Sequence, residues 1–279
     1  MKIVTDSTAD LTSELYKQHD ITPVPLTIHL GEKSWRDFYD ISPDEFYALL
    51  SKSNEVPGTS QPSPQDFVEA FTPYAESGEP ILSIHISSRL SGTYQSANLA
   101  RNHFPEARIE VVDSRQASLG LGQIILLLVE KIGRGARFEE VVETARHLAD
   151  TAETYFSVDS LHYLQRGGRI GKAQAFLGTL MKIKPLMRLV EGEIQPVEKI
   201  RTTERLLNRF VELVERQAAE GHSIKYSLAE SDNGLLVDGL LERLQRIKNA
   251  TMVYRARIGG VVASHAGPGT LGVTFVRDR

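Results

Sequence analysis

Ile81-Leu82-Ser83-Ile84-His85-Ile86 is an apolar run set between Pro80 and the serines Ser87 and Ser88. Such a run reads as a buried strand. It opens into Ser88-Arg89-Leu90-Ser91-Gly92-Thr93, a short hydroxyl-rich loop with one glycine, and then into helix-permissive residues from Tyr94 to Arg101. A strand that runs through hydroxyls into a helix start makes an anion site, because unpaired N–H groups and the positive end of the helix face whatever sits there. Ser91 and Thr93 add side-chain donors, and Gly92 lets the backbone come close. The plainer alternative is that Ser88 or Ser91 only caps the helix.

The same strand-to-helix rhythm fills the first 150 residues. Lys2 to Thr5 is a short strand, followed by cap-forming residues Asp6 to Asp10 and a helix through about Lys17. Ile21 to Leu30 alternates but contains Pro23 and Pro25, which suits an edge or irregular strand. Ser42-Pro43-Asp44-Glu45 starts a helix with a capping serine, proline at the first position and glutamate three residues after the cap. Val56 to Pro62 is a loop bounded by prolines that presents Thr59 and Ser60 ahead of a helix from Ser63 to about Glu76. Those hydroxyls are either ligand donors or solvent-facing parts of a capping turn. Arg108 to Val112 is a further buried strand; helices follow from about Gln116 to Lys131, with Gly120 and Gly122 marking close packing against a neighbour or a ligand, and from Arg137 to Asp150. Strands alternating with helices in this way predict a parallel sheet flanked by helices, with ligands at strand carboxyl ends.

From residue 151 the pattern changes. Thr154 to Val158 is a strand and Leu161 to Gln165 a short helix, cut by Arg166-Gly167-Gly168-Arg169-Ile170-Gly171. Ala173 to Met181 reads as helix, Ile183 to Ile200 as a hairpin turning at Glu191-Gly192, and Thr203 to Glu220 as a long amphipathic helix. Ile224 to Ala229, Met252 to Ile258, Gly260 to Ala263 and Gly272 to Val276 read as strands, with a helix from Gly234 to Ile247. The expected architecture is therefore α/β: residues 1–150 form a domain with a parallel sheet flanked by helices, and residues 151–279 an α+β domain with a largely antiparallel sheet.

Composition removes several functions. There is no cysteine among the 279 residues, which excludes disulfides, thiolate catalysis and cysteine-based zinc sites. The 32 basic residues nearly balance 36 acidic ones without a basic block, so nucleic-acid binding has no support. Met1 to Asp6 lacks a signal-peptide core, and Ile124 to Val129 is too short to span a bilayer. A soluble, cytoplasmic protein is expected. No P-loop, nucleophile elbow or H-E-x-x-H occurs. Gly267-x-Gly269-x-x-Gly272 matches a dinucleotide fingerprint, but too few residues remain before Arg279 for the helix it needs. Seven of the eight histidines sit in ordinary contexts; His265, before a Gly-Pro-Gly turn, is either structural or functional. Arg166 and Arg169 flank two glycines, as a helix C-cap with surface arginines or as an anion clamp.

Together these pieces resemble the DegV family, the fatty-acid-binding subunits of bacterial fatty acid kinase. The resemblance rests on Lys2 to Leu11 (KIVTDSTADL), Thr59-Ser60-Gln61-Pro62-Ser63, Ser87-Ser88 with Ser91-Gly92-Thr93-Tyr94, Val112-Asp113-Ser114, Leu164 to Ile170, and His265 to Gly269, in that order along the whole chain. Gly171 stands where many relatives carry serine. The resemblance implies a long-chain fatty acid between two domains, its chain in an apolar tunnel. Its carboxylate would lie at Thr59, Ser60, Ser91, Gly92, Thr93 and His265, a set of donors without fixed charge. Arg166 and Arg169 would hold an acyl phosphate or face the kinase. The chain itself would have no catalytic residue, cofactor or metal. Its partners would be the catalytic subunit of the kinase, which supplies ATP and magnesium, and an acyl phosphate acyltransferase of phospholipid synthesis, with transient membrane contact. Two other readings stay open. One is a stand-alone Ser/His ester hydrolase using Ser91 and His265; the other is a carrier of a different amphiphile, such as a retinoid or a small phospholipid.

Overall fold

A computed structural model describes residues 1–53, 55–178, 183–219, 221–232 and 234–278. The first half contributes β1 (Lys2–Asp6), α1 (Ser13–Gln18), β2 (Ile21–Val24), β3 (Thr27–Leu30), β4 (Lys33–Arg36), α2 (Pro43–Leu50), β5 (Gly58–Ser60) and α3 (Pro64–Glu76). It continues with β6 (Ile81–His85), α4 (Thr93–Arg101), β7 (Ile109–Asp113), α5 (Leu119–Gly133) and α6 (Phe138–Thr151). The second half adds β8 (Glu153–Ser157), α7 (His162–Arg166), β9 (Lys184–Val190), β10 (Glu193–Ile200), α8 (Thr203–Ala219), β11 (Ser223–Glu230), α9 (Gly234–Leu244), β12 (Ala250–Arg257), α10 (Gly260–Ala266) and β13 (Leu271–Asp278).

Strands β2, β1, β6 and β7 form, in that order, a parallel sheet. Alternate side chains serve opposite faces. Val4, Ile81, Ile109 and Val111 pack under α3 and α4 with Phe67, Phe71, Ala97 and Ala100, whereas Ile3, Leu82, Ile84 and Val112 face α5 and α6. Both faces are covered, which is why β1 and β6 are buried throughout. The second sheet runs β10-β9-β8-β13-β11-β12, antiparallel except for the parallel pair β11 and β12. One of its faces carries α8 and α9; the other lies on α5. Helix α5 is therefore apolar on nearly every side: Leu121, Ile124, Ile125 and Leu128 are fully buried between the two sheets. Tyr254, Ala256, Ile258 and Val276 from the second half share one core with Ile3, Leu82 and Ile84 from the first. Gly122 lets this happen, since a Cβ there would stand 2.1 Å from the Tyr254 hydroxyl and 2.5 Å from the Ala9 carbonyl.

Several elements differ from the sequence reading. Ile21 to Leu30 is two strands: Pro25 and Leu26 separate β2, in the parallel sheet, from β3, in a small antiparallel sheet ordered β4-β3-β5. Thr59 and Ser60 lie in β5, paired with β3, rather than in a free loop. Ala173 to Phe176 belongs to a 3₁₀ segment, Gly171–Phe176, and the expected continuation through 179–181 lies outside the described residues. Most consequential, Gly260 to Ala263 is not a strand but the start of α10. Its β-branched Val261 and Val262 suggest strand, yet tertiary contacts override that preference. The Asp37 carboxylate accepts from the Gly260 N–H at 3.2 Å, and the Ser264 hydroxyl donates to the Gly260 carbonyl at 2.7 Å.

Asp37 is 1 % exposed and Asp10 2 %, and neither has a cationic partner among the described residues. Burial raises the Asp37 carboxyl to about 7, against hydrogen bonds from Ser7, Gly260 and Val261, with the nearby Asp6 pushing further upward. Burial raises Asp10 well above the carboxylate range as well, with Asp37 and Asp6 adding to it. A carboxyl whose folded pKa exceeds its unfolded one favours the fold at low pH and loses that contribution as pH rises. Asp37 should therefore cost stability progressively between about pH 4 and 7. Denaturant midpoints measured across that range should fall less steeply in Asp37→Asn than in the wild type.

Candidate functional site

A cavity of about 290 Å³ lies where the two halves meet. Leu26, Ile86, Leu90 and Leu119 line it from the first half. Phe156, Leu164, Leu189, Ile194, Ile258 and Val261 do so from the second. Its wall is mostly aliphatic, with polar side chains gathered in two places. The first holds Thr59, Ser60, Gln61, Ser91, Arg169 and His265; the second holds Ser118 and Thr154. Thr270 also lines the wall, its hydroxyl donating to the Ala266 and Gly267 carbonyls.

In the first cluster, α10 carries His265 to face β5, and the imidazole Nε2 meets the Thr59 hydroxyl at 2.8 Å. The other ring nitrogen, Nδ1, is buried with no hydrogen-bond partner among the described residues. Gly167 closes on this side: a Cβ there would lie 2.2 Å from Nδ1. Burial, then the positive charge of Arg169, lowers the imidazole to about 4, so His265 is neutral at physiological pH. Ser60 is exposed at the rim and its hydroxyl shares a 2.9 Å hydrogen bond with His29, a residue the sequence reading left among the ordinary histidines.

The Ser88 to Thr93 loop ends β6 as expected, but its three candidates divide. Ser91 lines the cavity. Thr93 is buried behind it and holds the Ser91 hydroxyl at 2.9 Å. Gly92 is also outside the cavity wall; it accommodates Gln61, whose amide would lie 2.1 Å from an added Cβ and which donates to Ser96 at 3.0 Å. The N-cap position of α4 is Gly92, and the Ser91 hydroxyl before it accepts a long hydrogen bond from the Thr93 N–H at 3.4 Å, so Ser91 both meets the cavity and helps open the helix.

The two arginines separate as well. Helix α7 ends in a C-cap with Gly168 left-handed at φ +72°, so the capping account of the glycines holds. That turn sends Arg166 to solvent and Arg169 inward. Arg169 donates from Nε to the Leu90 carbonyl at 3.0 Å and from Nη1 to the Gly167 carbonyl at 2.7 Å. It thereby fixes the Ser91 loop to the His265 side and brings a full positive charge to the cavity wall. The expectation of a site without fixed charge is corrected on this point.

The second polar cluster was not visible in the sequence. Ser118 precedes α5 with φ +51° and ψ −130°, a backbone conformation strained for any residue but glycine, and donates its hydroxyl to Asp10. Thr154 bonds Gln116 at 2.7 Å and also Thr274, and the Gln116 amide donates to the Ala152 carbonyl at 3.1 Å. These groups satisfy one another and leave no donor committed to the cavity, which suits a wall for apolar material. The alternating Gly120 serves them, since its Cβ would strike Gln116 and Thr154.

The arrangement defines a mixed α/β protein with a partly open, largely apolar chamber that carries a charged and hydrogen-bonding cluster in its wall. A family model described as "Uncharacterised protein, DegV family" matches residues 1–278, and the chain belongs to the DegV family. It is 38% identical over 275 residues to a DegV domain-containing protein of Streptomyces coelicolor, covering 97% of this chain and 96% of that one. A structure described as fatty acid binding of a DegV family protein from Thermus thermophilus superposes with a TM-score of 0.91 at 36% identity, over 99% of both chains. A stearic acid-binding protein from Eubacterium ventriosum superposes with a TM-score of 0.89 at 29% identity, over 99% of this chain and 98% of that one. No helix of the described residues is long and apolar enough to cross a membrane.

The His265 environment is directly testable. A folded pKa below the ordinary value places this residue's contribution to stability above about pH 6.5, to be lost as pH falls toward 4. An NMR titration of the imidazole should show its midpoint near 4. In Gly167→Ala the displaced ring should titrate closer to the usual histidine value.

Proposed function

We propose that this protein encloses a long-chain fatty acid in the chamber and offers its carboxylate to a separate ATP-dependent kinase. The carrying observation is the chamber itself, an aliphatic wall ending in the Thr59–His265 pair, Ser91 and the Arg169 guanidinium. Residues 1–150 and 151–279 act in this reading as two lobes closing on the ligand. Two solved relatives described as binding fatty acids, with the same fold over nearly the whole chain, support it.

The physical terms agree with a carboxylate on an alkyl chain. Burying about 15 methylenes contributes on the order of 12 kcal/mol before ordering costs. A buried carboxylate needs donors to replace lost hydration. Thr59, Ser91 and a neutral His265 offer them, while Arg169 supplies the countercharge that makes a dry carboxylate tolerable. In the proposed reaction one carboxylate oxygen attacks the γ-phosphorus of ATP bound by the kinase, giving an acyl phosphate and ADP. Arg169 then faces the added phosphate charge, Arg166 on the outer surface faces the kinase, and an acyltransferase of phospholipid synthesis takes the acyl group. This chain acts as carrier rather than catalyst.

A Ser/His hydrolase gains nothing from the geometry. His265 pairs with Thr59 and Ser91 with Thr93, and the Nδ1 that a third member would orient has no partner among the described residues.

Protein purified from a heterologous host should release a fatty acid on solvent extraction, detected by mass spectrometry; a folded sample releasing none overturns the proposal. Thr59→Val and His265→Ala should each lower affinity for that acid about tenfold, the loss of roughly one charge-assisted hydrogen bond. Acyl phosphate trapped with hydroxylamine should appear only when this protein, the kinase subunit, ATP and magnesium are all present.

A further inference from the structure

Gly272 is a buried glycine in the middle of β13, paired on one side with Phe156 of β8 and on the other with Ala229 of β11. A glycine inside a central strand weakens it and often marks a place where something approaches the backbone closely. Each of the other buried glycines among the described residues has a protein reason to lack a Cβ. Added to Gly120, Gly122, Gly192, Gly259, Gly260 or Gly267, that atom would come within 2.1 to 2.7 Å of a neighbour. At Gly272 the nearest atoms would be the Phe156 Cβ and Tyr155 carbonyl at 3.4 Å and Leu119 Cδ2 at 3.5 Å, which are ordinary contacts. Its φ is not positive either. Neither packing nor backbone conformation calls for glycine here.

The missing side chain opens into the chamber, whose wall Gly272 shares with Phe156 and Leu119. Register places it along the ligand's path. Gly272 lies in β13 two residues after Thr270, which precedes the strand and also lines the chamber; Phe156 and Thr154, on β8, line it as well. Thr274 comes next on β13, opposite Thr154, but it bonds Thr154 and does not line the chamber. Thr270, just before β13, donates its hydroxyl to the Ala266 and Gly267 carbonyls beside His265, so the strand leads away from that residue. We take the Thr154–Thr274–Gln116 group further along it as the floor, with Gly272 one strand step before.

We propose that Gly272 sets the acyl-chain length this protein accepts, by leaving room beside the floor for the terminal carbons. The inference rests on the fatty-acid reading above. Delipidated wild type, Gly272→Ala and Gly272→Val are compared for binding of saturated acids from twelve to eighteen carbons, by displacement of a fluorescent fatty acid, with thermal unfolding of each protein alongside. In Gly272→Ala the ratio of longest-chain to shortest-chain affinity should fall about tenfold, the discrimination that one methylene's worth of space provides, and further in Gly272→Val. The acid extracted from the alanine variant after expression should be shorter than that from the wild type. A uniform loss across lengths, an unaltered ratio, or an alanine variant that fails to fold would each overturn the assignment, the last because packing would then need the glycine. A wild type that binds no acid of any length would instead remove the underlying reading, and this one with it.

Discussion

Two buried carboxyl groups, Asp10 and Asp37, with no cationic partner among the described residues, hold the chamber in shape. Asp37 anchors the first turn of α10 through the Gly260 N–H, and Asp10 meets the Ser118 hydroxyl at the start of α5 while packing on Gly259. Helices α10 and α5 both line the chamber, so these contacts set the distance between the His265 end and the Ser118 end. An unpaired ionised carboxylate this deep would be costly, and protonation relieves that cost. The two acids therefore act as hydrogen-bonding groups at the head of a short helix whose Gly-Gly start admits them. A bulkier residue at Gly259 would strike the Phe38 ring and the Asp10 carboxyl, and one at Gly260 the Ile28 and Phe46 side chains.

From that anchorage follows the electrostatic character of the polar end. Helix α10 presents His265 at its last turn, against Thr59, while the turn after α7 presents Arg169 from the other side. One positive charge beside a neutral imidazole favours an anion without making two cations compete for it. Burial first, and the same guanidinium second, suppress protonation of the imidazole and keep it neutral. Because Arg169 is itself tied to the Leu90 and Gly167 carbonyls, its position is set before any ligand arrives.

Much of this was legible in the chain. The alternating pattern of the first 150 residues gave the parallel sheet, and capping serines such as Ser42 and Ser63 fixed helix starts through local hydrogen bonds. What sequence spacing could not show was direction. Arg166 and Arg169 are equivalent as letters, and only the left-handed Gly168 decides which turns inward. Ser91 and Thr93 likewise look alike, yet one meets the chamber and the other supports it. Gly260 to Ala263 misled because valine pairs suit strands, and the carboxylate that converts them to helix lies 223 positions away at Asp37. Ser118 and Thr154 carried no motif; the positive φ of a non-glycine residue is a signal that coordinates hold and letters do not.

The position of α5 has a consequence for how the chain becomes a protein at all. One flank of this helix belongs to the parallel sheet and the opposite flank to the antiparallel one. A ribosome that has released only the first 150 residues has therefore made a helix with a bare greasy flank and nothing yet to cover it. Such a nascent chain invites chaperones or clumping until β11 to β13 emerge. Cutting the polypeptide between its halves would yield two sticky fragments rather than two modules.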